Sequence, residues 1–153
     1  MGLRGARLET MSDGQRMEMR KGRGAAGPGY VAGYMVMALF YCIAGVNHFL
    51  HPQMYVTIIP PYLPWPLALV YVSGVAEILG GVGAMIPDGL VFARTRAAAC
   101  WGIVVMLVLF LQVHIYMCLY PERFPGIPGW ALWVRLPLQG LLIAWAWYYT
   151  RKR

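Results

Sequence analysis

VSGVAEILGGVGAM, residues 72–85, has the small and apolar composition of a membrane-crossing helix, yet Glu77 sits at its centre. A charged side chain at the middle of a spanning helix costs about 2.5–3.5 kcal/mol even on lenient insertion scales. A carboxyl group kept there is expected to face the protein interior and to find a donor. An ionisable residue at that depth is by default a functional-site hypothesis.

The rest of the chain agrees with the membrane reading. Of 153 residues, 59% are hydrophobic and 12% charged, where soluble domains carry about a quarter charged. The apolar residues gather in four runs, at about 30–50, 66–86, 97–119 and 130–149. At about 1.5 Å per residue, each crosses a hydrocarbon core of about 30 Å. The expected fold is all-α, an antiparallel bundle of four transmembrane helices over residues 30–150. A basic, disordered N-terminal tail (1–29) precedes it, and a basic end (151–153) follows.

The net charge of +7 reflects topology rather than nucleic-acid binding. Eleven of the thirteen basic residues precede the first run, lie between the second and third, or follow the fourth. Only Arg123 falls in the other connections, and Arg135 lies inside a span. The positive-inside rule then places both termini in the cytoplasm. The outer connection HPQMYVTIIPPYLPW (51–65) carries four prolines, which forbid regular helix through much of it. Its Ile58 and Ile59 suggest that it folds back onto the membrane. Ala76, Gly80 and Ala84 recur every four residues and suit close helix contact, with Ala98 and Gly102 as the facing pair. Cys42, Cys100 and Cys118 lack a CxxC spacing. Buried thiols are the main expectation, and a Cys42–Cys118 pair stays open.

Measured from the outer boundary at about 1.5 Å per residue, Glu77 lies about 16 Å deep and Gln139 about 13 Å. Ser73 and Gln112 follow at about 10 Å, Arg135 and His114 at about 7 Å, and His48 at about 3 Å. The polar residues are thus confined to the outer half and the midplane. Ser73 and Glu77 share a face of span two, as Arg135 and Gln139 do on span four. A Glu77–Arg135 association across an axial gap of about 9 Å is the expected core of the site. The histidines and carboxylate show no metal-ligand spacing, and no metal site is expected.

Five segments carry a family resemblance: AGVNHFLHP (44–52), PPYLP (60–64), SGVAEILGG (73–81), VHIYMCLYPERFPGIP (113–128) and WVRLPLQGLLIAWAW (133–147). Together they resemble the DoxX family of small bacterial membrane proteins. The resemblance implies a multi-pass protein of the bacterial inner membrane. It also implies association with quinone-linked or thiol and sulfur redox systems. The matching positions include Gly45, His48, Gly74, Glu77, Gly80, Tyr116, Arg135 and Gln139. His114 departs from the pattern, where many relatives have Asn.

Two functions compete. In the first, the chain is the membrane subunit of a redox system, with Glu77, Arg135 and His48 as catalytic groups. Ser73, Gln112, His114, Tyr116 and Gln139 then bind the ligand. A quinone, soluble in the bilayer, would reach such a pocket from the side. No haem, flavin or iron–sulfur motif is present, so electrons would come from a soluble or membrane redox partner. In the second, the chain is a non-catalytic scaffold or assembly factor whose polar network only holds the bundle. A transporter is the weakest reading, because the polar residues offer no path to the inner face. The oligomeric state is not fixed by the sequence.

Overall fold

The structure, a computed structural model, describes Ser12, Gly14 and residues 27–91 and 93–151. Two compact units divide the chain: Met1–Val31 with Arg153, and Ala32–Lys152. Most of the tail expected over 1–29 lies outside the described residues, as do Lys152 and Arg153 of the C-terminal end. Among the described residues all regular structure is helical.

Proline punctuates the elements, because its fixed φ suits the first helical turn and its missing N–H costs nothing there. Helix α1 (Pro28–Leu50) starts on one proline, and the short α2 (Pro52–Val56) on the next. Helix α3 (Pro66–Met85) follows Trp65, whose φ of 49° is left-handed and strained for a bulky residue. Helix α4 (Thr95–Leu119) stops just before a 3₁₀ turn at Pro121–Arg123, and α5 (Gly129–Thr150) follows Pro128. The four long helices coincide with the expected spans to within two residues at each end. α1, α3 and α4 are each long and apolar enough to cross a membrane. α5 has 22 residues, with Pro137 inside it, and Arg135 and Gln139 make it the more polar helix.

Glycine sets the distance between α1 and α3. A Cβ on Gly45 would come within 2.6 Å of the Gly74 carbonyl oxygen, and one on Gly74 within 2.9 Å of the Gly45 carbonyl oxygen. Lower down, a Cβ on Gly81 would meet the Ala38 carbonyl oxygen at 2.6 Å. As numbers rise on α3 they fall on α1, so the two helices are antiparallel. α3 meets α4 the same way, with Gly80 against Ile103 and Gly83 against Ala99. The facing pair is therefore Ala99 and Ile103, not Ala98 and Gly102, which are both exposed, as is Ala76. One position along a helix is a rotation of about 100°, enough to move a side chain off the contact face.

α5 pairs with α4 through two side-chain bonds to backbone. Cys118 Sγ donates to the Leu132 carbonyl at 3.3 Å, and Gln139 Nε2 donates to the Leu107 carbonyl at 2.7 Å. Tyr34 and Tyr149 close the ring of helices edge to face, 6.2 Å apart. Arg96 fastens the α3–α4 connection. Its N–H donates to Asp88, its Nε donates to the Ala84 carbonyl, and its guanidinium lies 4.1 Å from the Tyr34 ring centre. All three cysteines are free. Cys42 lies against Gly81 and Cys118 against α5, so the open Cys42–Cys118 pair is not formed.

Gly74→Val is expected to destabilise the protein by about 3 kcal/mol, because the helices would have to separate around the added atoms. Gly140→Ala, at a position with nothing within 4 Å of a built Cβ, is expected to stabilise by about 0.5–1 kcal/mol. Equilibrium unfolding in mixed micelles compares the two directly.

Candidate functional site

Five elements deliver polar groups to one place near the end of the bundle where α3 and α5 begin. From α1 comes His48, buried among its neighbours. Its Nδ1 lies 3.0 Å from the Val70 carbonyl and 2.9 Å from Ser73 Oγ. A carbonyl oxygen only accepts, so Nδ1 carries hydrogen and donates to it. The Ser73 hydroxyl donates to the same carbonyl at 2.8 Å. The far nitrogen, Nε2, then faces Glu77 Oε2 at 3.6 Å, and both side chains are more than nine-tenths buried. At that distance the two are close enough for an ion pair but are not joined by a hydrogen bond. This pair is the chemical centre of the site.

The α2 segment covers it. The Tyr55 ring lies on the His48 imidazole, with centres 3.8 Å apart, and Asn47 Nδ2 donates to the Tyr55 hydroxyl at 2.7 Å. Pro60 is fully buried, and Ile58 packs against the cluster of Tyr116, Met117, Cys118, Phe124 and Leu132. The connection folds back over the ends of the helices.

Beside the pair lies a cavity of about 590 Å³. Leu69, Val72, Ser73 and Ala76 supply one wall from α3, and Gly102, Val105, Met106 and Leu109 the other from α4. Each set follows the i, i+3, i+4, i+7 stripe of a single helix face. Tyr55, Ile58, Ile59 and Leu63 form the roof, and Gln112, His114 and Arg135 stand at the far side. The helices touch at Gly80–Ile103 and Gly83–Ala99 and part above, which leaves the cleft.

Six of the eight expected site residues share this cavity: His48, Ser73, Glu77, Gln112, His114 and Arg135. Their arrangement differs from the expected one. Glu77 associates with His48 on α1, and Arg135 makes no ion pair with it. α1 and α3 are antiparallel and Cβ bonds tilt toward each helix N-terminus, so His48 and Glu77 lean toward one another. Glu77 and Arg135 lie on helices that run the same way and lean together, so their axial gap is not shortened. Gln139 and Tyr116 stand outside the cavity walls. Gln139 is committed to α4, and Tyr116 belongs to the apolar cluster.

Tyr55 and Tyr41 were not expected. Tyr55 sits in a connection that hydropathy places outside the bundle. Tyr41 precedes His48 by seven residues and so shares its face, a spacing that marks it in retrospect. The Tyr41 hydroxyl, Glu77 Oε2 and His114 Nδ1 are buried without a hydrogen-bond partner. Leaving such an atom unpaired costs about 1–3 kcal/mol. Two of the three belong to residues lining one cavity.

The class that the fold and site define is an all-helical bundle with a buried His–Glu pair beside an apolar cleft. Within that class, the chain belongs to the family described as a domain of unknown function (DUF8561), whose model matches residues 37–150. The match takes in every residue of the cleft. No curated protein matches, and no solved structure matches.

A double-mutant cycle for His48→Ala and Glu77→Ala is expected to give a coupling of about 1–3 kcal/mol in unfolding free energy, as for side chains in contact. The Glu77→Ala and Arg135→Ala cycle is expected to be additive within about 0.5 kcal/mol. The reverse order would contradict the pairing seen here.

Proposed function

We propose that the chain is a four-span protein of the bacterial inner membrane, with both termini cytoplasmic, whose cleft binds a lipid-soluble quinone. It would serve as the membrane part of a quinone-linked or thiol and sulfur redox system. The observation that carries this reading is the buried, unpartnered Glu77 oxygen, set 3.6 Å from His48 at the wall of an apolar cleft. The resemblance to the DoxX family and the one-sided distribution of basic residues support it.

Reduction of a quinone to a quinol consumes two electrons and two protons. The electrons come from a partner redox protein, since the chain contains no redox-cofactor motif. Protons are held within the cleft by the His48–Glu77 pair, oriented by Ser73 and the Val70 carbonyl. Arg135 and His114 supply a donor and a positive charge that would polarise a carbonyl oxygen, a role suited to general-acid assistance. The fourth helix crosses the bilayer in this reading. Burying Gln139 against the Leu107 carbonyl and turning Arg135 into the cleft lower the cost of its polar residues.

The purified chain in lipid nanodiscs is expected to bind decylubiquinone saturably. Glu77→Gln should weaken that binding at least tenfold, about 1.4 kcal/mol, with little change in unfolding midpoint. Absence of saturable binding to the wild type removes the quinone reading. For the topology, a phosphatase fused after the last residue is expected to be inactive in cells, as a cytoplasmic terminus requires.

A further inference from the structure

The glycines in the helical bundle divide into two kinds. Those at positions 33, 45, 74, 80, 81 and 83 each have a neighbour within 3 Å of where a Cβ would stand, so close packing explains them. Gly102, in the third turn of α4, has nothing within 4 Å; the same is true of Gly140 on α5, but Gly140 lies outside the cleft. A mid-helix glycine costs about 1 kcal/mol relative to alanine, and here no contact within the chain offsets it. Gly102 nevertheless lines the cleft.

Its surroundings show which way the cleft faces. Val72, Val105 and Leu109 are wall residues, yet 66%, 56% and 58% of their surface is exposed. Ala76 and Gly102 are exposed wall residues too. The cleft is therefore open sideways, on the apolar flank between α3 and α4. The α2 segment roofs it, and the Gly80–Ile103 and Gly83–Ala99 contacts close it below. One opening lies on this apolar flank, and Glu77 lines the cleft inward of it.

We propose that Ala76 and Gly102 form a sill over which the hydrocarbon tail of the ligand leaves the cleft, so that the site takes long-tailed lipids rather than free head groups. This rests on reading the cleft as a ligand site, and deepens it. A polar head held near Glu77 and an alkyl or prenyl chain running out between the helices use both features at once. The tail leaves apolar protein for apolar lipid and needs no pocket of its own. The small residues at 76 and 102 give it width. A side chain at position 76 tilts toward the start of α3 and thus into the cleft, so enlarging it would fill the passage.

The full chain in nanodiscs tests this with two probes that share one head, decylubiquinone and its tailless 2,3-dimethoxy-5-methylbenzoquinone counterpart. The tailed probe is expected to bind at least tenfold more tightly after correction for partitioning into lipid. Ala76→Phe and Gly102→Leu are expected to reduce its binding at least tenfold with unfolding midpoints unchanged. Equal binding of the two probes, or full binding by both variants, overturns the sill. Failure of both probes on the wild type would instead remove the quinone head, and native mass spectrometry then decides the tail. Retained lipid on the wild type, lost in Ala76→Phe, upholds the inference; equal or absent lipid on both overturns it.

Discussion

The approach of α1 to α3 through Gly45 and Gly74 is the constraint on which the rest depends. With carbonyl oxygens where side chains would be, the two backbones have one register in which they fit. That register brings residue 45 level with residue 74 and therefore sets His48 above Glu77. A shift of one helical turn, about 5.4 Å, would separate imidazole from carboxyl and take His48 away from the Val70 carbonyl and Ser73. The chemistry of the cleft is thus fixed by residues that have none.

The α3–α4 contact completes the arrangement by being tight at one end only. Gly80 and Gly83 admit Ile103 and Ala99, and above these contacts the helices part around the cleft. The splayed half becomes a cavity, and the proline-rich connection covers it. Van der Waals contact and backbone approach do this work, as expected where lipid offers no hydrophobic drive between helices. Polar side chains then tie α5 in place from the opposite side.

Much of this was legible in the sequence. Hydropathy located the four long helices, and proline marked where they begin. A simple count of polar residues within the apolar runs found His48, Ser73, Glu77, Gln112, His114 and Arg135, all of which line one cavity. Their pairing was not legible. Depth counted from each run's own boundary assumes that all helices start at one level, and α3 begins higher relative to its neighbour than α1 ends. Gly45 is five residues from the end of α1, whereas Gly74 is eight from the start of α3. The lean of Cβ bonds then favoured the antiparallel neighbour over the parallel one. Gln139 and Tyr116 missed the cavity through rotation about their helices, which polarity and spacing alone do not fix. Tyr55 escaped notice because a short helix between prolines resembles a loop.

The placement of the His48–Glu77 pair has an electrical consequence. In a bilayer, a proton that reaches Glu77 from the nearer surface travels about 16 Å along α3, roughly half of the hydrocarbon thickness. A full crossing of one charge is worth about 2.3 kcal/mol per 100 mV, so half the field contributes about 1 kcal/mol. In the proposed bilayer placement, proton occupancy of this pair would therefore respond to membrane voltage, and a cell's resting polarisation would bias the site.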